Sequence, residues 1–134
     1  MAVRAIRGAT QLDSDNREHM LERVAEMVRD IMSCNELDVE DFISIIFTAT
    51  SDLVSEFPAY AARILGFDDV PLVCARELEI EGSMPRVVRM MAHVDTQLAR
   101  ADITHVYLHG AANLRRDLAK VREVPDEPKA SAES

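Results

Sequence analysis

The apolar positions of this chain form several short runs of strand-like period and one long stretch of helical period. Ala2, Val3, Ala5 and Ile6 are β-compatible, with Arg4 among them and Arg7 closing the run, and Gly8 is expected to end this first strand over residues 2–7. From Asp15 the period changes. Met20, Leu21, Val24, Met27, Val28, Ile31 and Met32 share one face at helical spacing, with Glu22, Arg23 and Arg29 largely opposite. Asp15 followed by Glu18 resembles a capping box, so the one long helix is predicted from Asp15 to about Cys34. A short helical turn is predicted over residues 38–41. The β-branched and aromatic run from Phe42 to Thr48 then reads as a buried strand. Pro58 sits where a helix of about two turns would begin and Gly66 where it would end. Residues 70–75 read as a third strand and Gly82 to Pro85 as a loop. Val88, Met90, Ala92 and Val94, alternating with Arg89, Met91 and His93, read as a fourth strand, a helix from Pro85 being the alternative. Thr104 to His109 supplies a fifth, with Val106 and Leu108 on one face and His105, Tyr107 and His109 on the other.

Five strands, one long helix and a few short ones describe a single α+β domain over residues 1–119. Residues 120–134, with Pro125, Pro128 and several acidic and serine residues, read as a flexible polar tail. One helix covers one face of a sheet, yet several strands are apolar on both faces, so another body must cover the second. Self-association does this most simply and can place a ligand site between subunits.

Charge narrows the partners. A net charge of −9 repels nucleic-acid phosphates and anionic lipid surfaces, so neither is an expected partner. Cys34 and Cys74 are too few and too far apart for a disulfide framework, Arg4 and Arg7 interrupt the place of a secretory apolar core, and no run is long enough for a membrane helix. A cytoplasmic protein is expected. Only Lys120 and Lys129 among the 15 basic residues are lysines, and the planar fork of Arg is matched to carboxylates, although compositional bias accounts for most of that skew.

Charges set into apolar runs are costly unless something satisfies them, and they mark candidate chemistry more strongly than surface charge does. Glu77 follows the run from Val70, Arg89 lies between Val88 and Met90, Arg7 closes the first strand, and Arg115 with Arg116 follows the run from His105 to Leu108. Several Arg with one carboxylate, and no paired nucleophile and base, point to binding and electrostatic catalysis of an anionic small molecule. Plainer readings stand beside this. Arg7 and Arg63 taken singly are ordinary salt-bridge residues, and Arg89 and Glu77 could simply pair with each other. Cys74 reads as a small lining residue, because nothing in the sequence supplies an activating base. His93, His105 and His109 read as ordinary satisfied histidines, lacking a Cys or Asp cluster at ligand spacing; no metal or cofactor is expected.

Taken together, Arg4 to Thr10, Thr48 to Leu53, Phe57 to Ala59 with Arg63, Val70 to Cys74, Glu77, Arg89, His105 to Leu108 and Leu114 to Leu118 resemble the monofunctional chorismate mutases of the trimeric pseudo-α/β-barrel type, as opposed to the all-helical type. The resemblance runs from about Val3 to Leu118. It implies a mixed five-stranded sheet in a homotrimer, and an isomerase that rearranges chorismate to prephenate on the shikimate-pathway branch of aromatic amino acid biosynthesis. It further implies that Arg89 meets the ether oxygen, that Glu77 accepts the ring hydroxyl's hydrogen bond, that Arg7 and Tyr107 hold a carboxylate and that Cys74 lines the hydroxyl end. Phe57, Ala59, Arg63 and Val73 would come from a neighbouring subunit, and Leu114 and Arg115 would belong to a segment that closes over the ligand. Tyr60 stands where the family has a Lys, Val73 where it has a Thr, and the loop at residues 66–69 is one residue shorter. The rival readings are a non-enzymatic trimeric binder of carboxylate metabolites and a small trimeric enamine or imine deaminase.

Overall fold

The computed structural model describes residues 1–114. In chain order it contains β1 (Ala2–Gln11), α1 (Arg17–Cys34), a 3-10 turn (Val39–Asp41), β2 (Phe42–Ala49), α2 (Pro58–Ile64), β3 (Leu72–Arg76), β4 (Val87–Thr96), a second 3-10 turn (Arg100–Asp102), β5 (Val106–Leu108) and a third (His109–Asn113). The strands form one mixed sheet in the order β3-β2-β4-β1-β5. β4 is antiparallel to both its neighbours, while β2 with β3 and β1 with β5 are parallel. Parallel neighbours need a crossover, which α2 supplies between β2 and β3.

The helical stripe of α1 buries Met20, Val24, Met27, Val28 and Ile31. They join Ile6, Ile45, Phe47, Val88, Met90, Ala92 and Val94 of the sheet in one core. Gly8 does not end β1, which runs on to Gln11. A Cβ at Gly8 would lie 2.8 Å from Ile31 Cδ1 and 3.2 Å from Met27 Cγ, so this glycine lets α1 settle onto the strand. The cap of α1 is also displaced from its expected place. Asn16, not Asp15, accepts the N–H of His19 at 3.0 Å, while the Asp15 carboxylate accepts the N–H groups of Val54 and Ser55, each at 3.1 Å.

β3 starts two residues later than expected. Pro71 has no N–H to give, though its carbonyl still accepts from Ile45 at 3.0 Å. β4 is a strand throughout, which removes the helical alternative from Pro85. β5 is shorter than the predicted strand, because Asn35 holds Thr104 at one end and His109 turns into the left-handed region (φ 56°) at the other.

The second face of the sheet is open. Val3, Ile46, Val73 and Met91 are exposed there, as the two-sided apolar pattern anticipated. No helix among the described residues is long and apolar enough to cross a membrane.

Candidate active site

Register carries the candidate residues onto the open face. Thr48 lies opposite Ala75 on β3 and Arg89 on β4, Arg89 lies opposite Ala9 on β1, and Ala9 lies opposite Tyr107 on β5. The next row runs Val73, Ile46, Met91, Arg7. Because strand side chains alternate, all of these project to the side away from α1. Arg89 and Tyr107 are therefore two strand spacings apart, roughly 10 Å, although they are far apart in sequence.

Glu77 stands one residue beyond β3. Its N–H donates to the Ala49 carbonyl at 2.9 Å, which extends the ladder and keeps its side chain in step with Val73 and Ala75. The carboxylate accepts the Thr48 hydroxyl, and Oε2 lies 3.0 Å from Arg89 Nε. That ion pair is close but misaligned: Nε is buried and makes no hydrogen bond among the described residues. The plainer expectation, that Arg89 and Glu77 pair with each other, thus coexists with a donor left over for something else.

Arg7 donates its backbone N–H to His105 Nδ1 at 2.9 Å and forms no ion pair among the described residues. Tyr107 is buried, packed with Ala9 and Ala111, and Leu114 leans on the same cluster. Arg7, Thr48, Glu77, Arg89, Met91 and Tyr107 all line one cavity of about 370 Å³, within the roughly 300–1,000 Å³ of small-molecule sites. A threonine hydroxyl resting on a carboxylate is no activated nucleophile, since a carboxylate is too weak a base for an alcohol. The arrangement offers fixed charge instead.

The other expected residues lie elsewhere in the protomer. The Cys74 side chain does not join the cavity of Arg89 and Glu77. It is paired with Phe47, one step out of phase with Val73 and Ala75, packs on the core and lines a second cavity of about 410 Å³ with Phe57 and Pro58. Phe57 and Val73 are exposed, as is Arg63 near the end of α2, whereas Ala59 is buried in the core. Arg115 lies outside the described residues, as does the expected tail from residue 120.

Two residues that hold the site carry no clear signal in the sequence. Thr48 is hidden in an apolar β-branched run and, although it opens a stretch that carries the family resemblance, only its parity with Ile46 points it at the site. Asn35, at the end of α1, donates Nδ2 to the carbonyls of Ile31 and Thr104, each at 2.9 Å, and accepts the Thr104 N–H at 2.8 Å. It thereby fixes the segment that delivers His105 and Tyr107. A terminal Asn signals a helix end, but not the strand it grips.

Comparison with known proteins matches the chorismate mutase type I family over residues 3–118. The chain belongs to the chorismate mutase type I family. It is 41% identical over 117 residues to the chorismate mutase AroH of Thermus thermophilus, spanning 87% of this chain and 96% of that one. It is 36% identical over 120 residues to the chorismate mutase AroH of Bacillus subtilis (strain 168), spanning 89% and 94%. The solved chorismate mutase from Clostridium thermocellum superimposes with a TM-score of 0.80 at 40% identity, over 81% of this chain and 96% of the other. The fold is that of the type I, pseudo-barrel chorismate mutases, and the family is an isomerase family.

Proposed function

We propose that this protein rearranges chorismate to prephenate in the cavity beside Arg89, as a homotrimer with its sites between subunits. The observation that carries the reading is the buried, unsatisfied Nε of Arg89, set 3.0 Å from the Glu77 carboxylate in a cavity that also presents Arg7 and Tyr107. A buried donor without an aligned acceptor costs about 1–3 kcal/mol, so a ligand oxygen that draws the guanidinium into line recovers that cost.

Chorismate is a dianion with an enolpyruvyl ether and a ring hydroxyl. In its pericyclic rearrangement one bond breaks as another forms, so no nucleophile, proton relay, metal or organic cofactor takes part. What accelerates it is a folded substrate conformer and compensation of the charge that separates in the transition state, negative on the ether oxygen and positive on the ring. Arg89 meets the ether oxygen, its fixed charge counting for more as that oxygen gains electron density. Glu77 accepts the ring hydroxyl and faces the electron-poor ring. Arg7 and Tyr107 hold a carboxylate.

The exposed apolar face supports a trimer, as does the second cavity with Phe57 and Cys74, which has the character of a wall awaiting a neighbour's site. On this reading Phe57, Ala59, Arg63 and Val73 belong to the segments a neighbour presents, and Leu114 and Arg115 to a segment that closes over the ligand. Cys34 and Cys74, neither in a disulfide, suit a cytoplasmic setting.

Incubation of the purified protein with chorismate tests this directly. Chorismate should disappear and prephenate appear far faster than in buffer, and the mass in solution should be that of three protomers. Saturable binding with no conversion would leave only a carboxylate binder and end the reading.

A further inference from the structure

We infer that Thr48 is a positioning residue for the isomerisation, fixing which oxygen of Glu77 is offered to the substrate's ring hydroxyl. The inference rests on the proposed placement of chorismate in this cavity and extends it to a residue that touches Glu77 rather than the reacting bonds.

Thr48 stands opposite Arg89 on β4 and Ala75 on β3, so its side chain rises between the two groups that form the ion pair. Its hydroxyl donates to Oε2 of Glu77. The same oxygen faces Arg89 Nε at 3.0 Å. Oε2 thus accepts from Thr48 and faces the Arg89 charge, and Oε1 is the oxygen left to accept from a ligand.

A strand has no need of a hydroxyl here. Valine has the same branched shape and equal or better β-propensity, so packing alone would be served by a valine as well as by Thr48. What the hydroxyl adds is directional. The terminal torsion of a Glu is broad and roughly two-fold, so without Thr48 the carboxylate turns readily. The favoured partner is then the whole Arg89 fork, met by both oxygens in a bidentate pair. That arrangement withdraws Oε1 from the ring hydroxyl and at the same time holds Arg89 away from the ether oxygen. Thr48 keeps the pair one-sided, which is the geometry in which Arg89 Nε lacks a hydrogen bond.

The test pairs variants with substrates. The wild-type protein, Thr48→Val and Thr48→Ser are each assayed with chorismate and with the analogue lacking the ring hydroxyl. A hydrogen bond to a charged group supports an effect on the order of tenfold. Thr48→Val should lower kcat/KM for chorismate by about that factor, much less for the deoxy analogue, and Thr48→Ser should restore the wild-type preference. If Thr48→Val slows both substrates equally, or retains the full preference for the hydroxylated one, or is not rescued by Ser, Thr48 is only a strand residue and the inference falls. Should the Val variant fold poorly in a thermal melt, Thr48→Ala against Thr48→Ser gives the same contrast. Failure of the wild-type protein to convert chorismate would instead remove the functional reading itself.

Discussion

The two faces of the sheet are made from alternate residues of the same strands and meet opposite demands. On the closed face Ile6, Ile45, Phe47, Met90 and Val94 are covered by the helix layer of α1 and α2 and have no polar work to do. On the open face the same strands present Arg7, Thr48 and Arg89 beside Ile46, Val73 and Met91, so charge and exposed apolar surface are intermixed over two adjacent rows. The closed face is completed by its own chain. On the proposed reading the open face carries the chemistry because it is not completed, and period two allows one strand to serve both ends at once.

The largest expected effect tests whether the open face is covered by another copy. Val73 is 56% exposed in the protomer. Under the trimer reading Val73→Asp places a carboxylate beneath a neighbouring subunit, which costs several kcal/mol. Sedimentation should show protomers in place of trimers, and turnover should vanish with the assembly. An unchanged mass with unchanged activity would make that row ordinary surface, and the contrast between the faces would lose its meaning.

The matching change on the closed face is Met27→Ala. Met27 is fully buried under β1, close above Gly8, so truncation leaves a cavity and should destabilise by about 2–5 kcal/mol in urea unfolding. The folded fraction should keep its kcat within about twofold, since distant effects on stability and chemistry add independently. A large loss of kcat in fully folded protein would show that the helix layer tunes the site.

How far these faces are legible in the sequence depends on the range of the forces involved. The stripe of α1 and the alternation of β4 are local patterns, and both elements stand where the spacing places them. Gly8 misleads because a glycine in a strand looks the same whether the chain turns or a helix lies upon it; only the position of Ile31 distinguishes the cases. Asp15 and Asn16 are both good capping types, and the choice between them is made by a distant loop, residues 54–55, whose N–H groups need Asp15. At the site, Arg7, Glu77, Arg89 and Tyr107 stand out because charge in an apolar run is rare or because the family pattern names them, and they line one cavity. Thr48 does not stand out, since a threonine in a strand is ordinary until its partner on β3's extension is known. Family resemblance puts Cys74 at the hydroxyl end, but the parity of β3 turns its side chain toward the core within the protomer.

Within the open face, Arg89→citrulline separates charge from shape. Citrulline keeps the planar group but loses the cation, so an interaction that strengthens in the transition state should cost on the order of a hundredfold or more in kcat. A rise in KM with kcat preserved would assign Arg89 to ground-state binding and shift the catalytic burden to conformational restraint alone.

The smallest expected effect lies where the two helices meet, at the start of α2. The N–H of Phe57 donates to Glu56 Oε2 at 3.0 Å and Arg17 Nε donates to Oε1 at 2.7 Å. These contacts, the backbone bond first and the guanidinium second, hold the Glu56 carboxyl below its ordinary value of 4.5. A carboxyl whose folded pKa is lowered stabilises the fold above its unfolded pKa, and that contribution is lost as pH falls through the folded value. The melting temperature of the wild-type protein should therefore exceed that of Glu56→Gln at neutral pH, and the gap should close on acidification from about pH 5 downward. Because Arg17 also sits over the Tyr60 ring, 5.5 Å from its centre, the pair ties α1 to the helix that presents Phe57. The exposed setting limits the gain to a small one that salt should screen. A gap that persists unchanged at low pH would mean that Glu56 acts through packing, and that the placement of Phe57 does not depend on charge.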